Sequence, residues 1–143
     1  MRNKKGFTLI ELLVVVGIIV FLFVLGVIAL GSARQQARDS KRLSDLRAVQ
    51  AHMEWYFSDH NAYPVIPAPG LVLGGPNSSC LNASGFQAKG CSAPYLDMVP
   101  ADPGDGKYVY MSTDGTSYVI TDTLEGNVNG LSGNIKVTPS GIQ

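Results

Sequence analysis

The chain reads as an α+β protein: one long N-terminal α-helix, membrane-spanning in its first half, packed by its second half on a small antiparallel β-sheet of about three strands. Three observations lead there. From Phe7 to Leu30 a single residue, Glu11, is ionisable, and none is proline. After Gly31 helix formers continue without proline until Pro64, with apolar residues now recurring three and four apart. Beyond Lys107, tyrosines and aliphatics alternate on both sides of Asp114-Gly115, a hairpin pattern. At 143 residues the chain has room for one membrane helix and one small globular domain. The expected division is a leader at 1–6, an apolar half-helix at 7–31, an amphipathic half-helix at 32–58 and a C-terminal domain at 59–143.

At 1.5 Å per residue the apolar run makes a helix of roughly 36 Å, long enough to cross a hydrocarbon core of about 30 Å with some tilt. A carboxylate inside it costs on the order of 2–3 kcal/mol. Glu11 therefore needs a partner. Arg2, Lys4 and Lys5 lie at or beyond the headgroups, too far to serve. Cleavage after Gly6 would place a new positive amine on Phe7, one helical turn before Glu11 and on the same face. The carboxylate can then meet that amine in its own chain or in a neighbouring one. The length of the run argues against a secretory signal peptide, and Glu11 argues against a plain anchor, which has no use for it.

The basic leader, Gly6, Phe7, Thr8, Leu9, Ile10, Glu11 and the long apolar run together resemble the prepilin signature of type IV pilins and of the pseudopilins of type II secretion systems. The resemblance implies cleavage between Gly6 and Phe7 by a membrane prepilin peptidase and N-methylation of Phe7. It also implies assembly into a fibre whose core is the N-terminal helices, with Glu11 paired to the N-terminus of an adjacent subunit. Arg34, Arg38, Lys41, Arg42 and Arg47 follow the apolar run, so charge does not set the orientation. The resemblance does: a single-pass inner-membrane protein with a cytoplasmic N-terminus, which then enters a periplasmic or cell-surface filament.

In the second half of the helix Ala33, Ala37, Leu43, Leu46, Met53 and Phe57, with Val49 and Tyr56 beside them, form the expected apolar stripe. Arg34, Arg38, Asp39, Lys41, Arg42, Asp45 and Arg47 are expected on the solvated face. Asn61 can take a left-handed cap and Pro64 forbids continuation, so the helix ends near there. This Asn-x-Tyr-Pro step also resembles pilins and major pseudopilins. His52 and His60 lack a second ligand or catalytic partner at a readable spacing and are expected at the surface or the helix end.

Val65 to Pro94, rich in Pro, Gly, Ser and Asn, is expected as a long connecting loop, with room for a short strand or turn at the apolar piece Leu71-Val72-Leu73. Cys80 and Cys91 can bridge it in an oxidising space, worth about 2–3 kcal/mol, with free thiols as the alternative. Strands are expected at Lys107 to Thr113 and Ser117 to Thr123, then a glycine- and asparagine-rich turn from Gly126 to Asn134 and a last short strand at Ile135 to Thr138. Asp102, Asp105, Asp114 and Asp122 offer oxygens to calcium, as in some major pseudopilins, but turn aspartates capping their own backbone are the favoured reading. No cofactor is otherwise expected.

These features point to a structural subunit and away from an enzyme, since no Ser/His/Asp set, phosphate loop or paired catalytic carboxylates can be read. The expected partners are copies of itself, the peptidase, an inner-membrane assembly platform and, before assembly, lipid. A pilus subunit is favoured over a secretion pseudopilin by the long cysteine-bearing loop. An anchored module that grips DNA or a surface is the alternative of another class. Balanced charge, with 11 basic and 11 acidic residues, and the few cations after Arg47 argue against nucleic-acid binding by the subunit alone.

Overall fold

The computed structural model describes residues 6–143; the basic leader residues Arg2, Lys4 and Lys5 lie outside them. Two compact units follow one another, Met1–Gln35 and Gln36–Gln143, and helix α1, Leu9–His60, passes from the first into the second. The first unit holds helix throughout its described length after Thr8, and all its apolar side chains are exposed.

In the second unit α1 presents Asp39, Arg42, Leu43, Leu46, Val49, Met53 and Tyr56 to the interior, at spacings of three and four. The stripe differs from the expected one at its beginning. Ala33 and Ala37 are exposed, Phe57 is half-buried, and the charged pair Asp39 and Arg42, expected in solvent, is buried. The helix stops as expected: Asn61 takes a φ of 52°, its amide bonding Phe57 O at 2.7 Å.

The sheet is larger than three strands. Five antiparallel strands run in the order β1 (Ile66–Val72), β4 (Val109–Ser112), β5 (Val119–Val128), β6 (Leu131–Thr138) and β7 (Gly141–Ile142). A separate hairpin joins β2 (Cys80–Asn82) to β3 (Gly85–Gln87). The segment expected as a loop thus contains three strands. β1 carries Pro67 and Pro69, which lack a donor, and it accordingly sits at the sheet edge. The expected turn from Gly126 to Asn134 is also mostly strand. Asn129 and Gly130, both with positive φ, make a two-residue turn, and pairing of Val128 with Leu131 continues the ladder up to it.

Along β5, Ile120, Asp122, Leu124 and Val128 turn inward while Thr121 and Thr123 face out. Tyr108, Tyr110 and Tyr118 are fully buried, and Tyr110 donates its hydroxyl proton to Pro64 O at 2.8 Å. Cys80 and Cys91 form a disulfide with Cα atoms 6.2 Å apart, closing the β2–β3 region on itself.

Candidate assembly site and the charged hub

Gly6, Phe7 and Thr8 precede the helix, and Phe7 is 82% exposed. Thr8 is the N-cap of α1 and Glu11 stands at the third helical position, so the pair makes a reciprocal capping box. The Glu11 amide donates to Thr8 Oγ1 at 3.3 Å, while Glu11 Oε2 accepts from the Thr8 amide at 3.0 Å and from its hydroxyl at 2.8 Å. Two donors of the helix start are satisfied, and the acid lies where the helix dipole favours it. The Thr-x-x-Glu spacing was available in the sequence as the signal for this box, and reading Glu11 only as a carboxylate in search of a cation passed over it.

From Leu9 onward, Leu, Ile, Val and Phe side chains cover the helix on every side, and none of its most apolar window is buried within the chain. The helix is long and apolar enough to cross a membrane. An all-round apolar helix with nothing of its own chain against it needs a covering of lipid or of other helices.

A second cluster is built around Arg42, in the second unit. Its guanidinium forks onto Asp102, Nε to Oδ2 at 2.6 Å and Nη2 to Oδ1 at 3.0 Å, while Nη1 donates to Asp39 Oδ1 at 2.7 Å and Glu125 Oε1 at 2.8 Å. Asp39 in turn accepts the amides of Glu125 and Gly126 on β5 at 3.0 and 2.8 Å. Arg38 also pairs with Glu125, through both carboxylate oxygens. Hydrogen bonding to Asp102 raises the Arg42 pKa against the cost of burial, and Arg38 together with Arg42 lowers that of Glu125 to about 2. Asp102 Oδ1 accepts the amides of Gly104 and Gly106; a Cβ on Gly104 would come within 2.8 Å of Arg42 Nη2. One arginine therefore ties the helix to the 102–106 loop and to β5.

The profile described as the prokaryotic N-terminal methylation motif matches residues 1–33. Across 116 residues the chain is 32% identical to the type II secretion system core protein G of Pseudomonas aeruginosa, covering 78% of this chain and 75% of that protein. The chain belongs to the type IV pilin and pseudopilin family. Within that family it is also 30% identical over 134 residues to core protein G of Vibrio cholerae, covering 91% of this chain and 87% of the relative. The type IV wide pilus major component PilA4 of Thermus thermophilus is 40% identical over 74 residues, 52% of this chain and 56% of that protein. No solved structure matches with significance.

The four aspartates considered for calcium do not converge. Asp102 and Asp122 lie at Arg42, whereas Asp114 caps its own turn, accepting from the Thr116 amide and hydroxyl at 2.9 and 2.7 Å. Asp105 lines the cleft outside Arg38 and Arg42. Among the described residues no group of three or more His, Cys, Asp or Glu is placed to hold a metal ion. His52 lies edge-on to Trp55, and His60 stacks on Tyr56 with its Nδ1 2.9 Å from Tyr56 O, both on the outer part of the helix.

Proposed function

We propose that the chain is made as a prepilin, cut after Gly6 by a membrane prepilin peptidase, N-methylated on Phe7, and assembled with copies of itself through residues 7–31 into a type IV pilus-like filament. The observation that carries this reading is Glu11. It is the one acid in the apolar stretch 7–31, a stretch exposed on all sides, and is set one turn after the residue that cleavage would make the N-terminus. In the membrane the helix start is capped by Thr8 and Glu11 together. In the filament the new amine of a neighbouring Phe7 gives the carboxylate a full positive charge, a stronger partner than a hydroxyl and an amide. The single-pass topology, with the N-terminus in the cytoplasm and the second unit outside, and the dependence on an assembly platform belong to the same proposal. The subunit's work is structural.

A second reading, the major pseudopilin of a type II secretion system, is favoured by a specific observation: the relatives that align along most of the chain carry the name core protein G. The disulfide-closed segment around β2 and β3 favours the pilus. Glu11→Val is expected to leave membrane insertion and processing intact and to remove the subunit from sheared or secreted fibres. Wild-type incorporation of that variant contradicts the pairing role.

A further inference from the structure

Asp122 stands apart from the other carboxylates around Arg42. Its side chain points inward from β5 and is 1% exposed. Neither oxygen has a hydrogen-bond partner among the described residues. The Arg42 Nε lies 3.7 Å from Oδ2, and its N–H is already donated to Asp102 at 2.6 Å. Asp39, Asp102, Asp122 and Glu125 thus share the two guanidiniums of Arg42 and Arg38, so the cluster carries more negative charge than its cations balance. An ionised carboxylate buried without hydrogen bonds takes up a proton in preference to remaining charged.

We propose that Asp122 is a proton-binding site: in the folded protein it is carried as the neutral acid, and its ionisation loosens the junction of α1, the 102–106 loop and β5. The groups that face it come from every element packed against it. The helix contributes Asp39 and Arg42, the loop contributes Asp102, and the segment leading into β4 contributes the buried Tyr108, whose own hydroxyl is made harder to ionise by burial and by the nearby acids. Lys107 and Lys136 line a cavity of about 320 Å³ with Asp122, and neither forms an ion pair with it. Burial raises the Asp122 pKa, and Asp102 and Asp39 push the same way, against Arg42 and the nearby Thr123 amide, which falls short of a hydrogen bond.

The sign follows from linkage. For an acid whose pKa is raised by folding, the stability it contributes is complete below the unfolded value, about 3.9, and is lost as pH rises through the folded one. Asp102 and Glu125, both lowered, act in the opposite sense and lose their contribution as pH falls. The two limbs are therefore separable.

The test uses the full chain in detergent micelles. Carbon NMR of the carboxyl groups should find Asp122 titrating above the ordinary aspartate value of about 3.9. The denaturation midpoint of the wild type should fall as pH rises from about 3.9 through the pH at which Asp122 is seen to ionise, and Asp122→Asn should abolish that fall. A carboxyl that titrates at or below about 3.9, or a parallel fall in wild type and variant, overturns the proposal. So does saturable stabilisation by calcium chloride that Asp122→Asn removes, since a metal ion would then hold the place given to the proton.

Discussion

Between Leu9 and Leu30 every side chain of α1 is exposed, whereas between Asp39 and Tyr56 seven are buried. The two stretches belong to one helix and are held by different means. The second is covered by its own chain: aliphatic and aromatic side chains from the sheet, and the Arg42 cluster at the start of the stripe. Among the described residues the first is held by its backbone ladder, the Thr8–Glu11 box and the Ser32 hydroxyl on Ala29 O, and none of its apolar side chains is covered by its own chain. Helical periodicity therefore reports which face leaves water, while the composition of the remaining faces reports whether the covering is internal. A helix with a polar back packs on its own domain. One without it waits for lipid or for another subunit.

The largest effect is expected at Arg42. Arg42→Ala leaves Asp39 and Asp102 buried with no guanidinium between them, and about 3–5 kcal/mol should be lost from the second unit in denaturant titration of the full chain in detergent. Retention of the first unit's helical signal through that transition would confirm that the two stretches are held independently; a single shared transition would deny it. Cys80→Ser or reduction of the disulfide is expected to remove about 2–3 kcal/mol from the same unit, with proteolysis appearing first around β2 and β3. The smallest effect is expected at the start of α1. Thr8→Ala should weaken the helix start by about 1 kcal/mol, read as faster amide exchange in the first turn, with no change in the denaturation midpoint of the second unit.

Signals that lie close together in the sequence were legible. The long apolar run, the Asn61 stop ahead of Pro64 and the hairpin around Asp114-Gly115 each depend on neighbours within a few positions, and each is present. β1 was not legible, because its pairing with β4 joins segments far apart in sequence and its prolines read as breakers. The β5–β6 turn is shorter than its glycine and asparagine content suggests: only Asn129-Gly130 turns, while Asn127, Val128, Leu131 and Ser132 stay in the ladder.

The Arg42 hub escaped for a different reason. Charged residues on an amphipathic helix are ordinarily solvated, yet Asp39 and Arg42 stand in register with Leu46, Val49, Met53 and Tyr56, on the stripe itself. That register was the available signal. What the sequence could not supply was the destination of the charges, since Asp102, Asp122 and Glu125 arrive from a loop and a strand more than fifty positions away.

The central claim is that proteolysis creates the positive end that Glu11 is set to meet. Intact-mass and N-terminal fragment spectrometry of the protein taken from its own cells tests it most directly. A chain beginning at Phe7 and carrying one methyl group on its amine is the expected result; a chain that still begins at Met1 would contradict it.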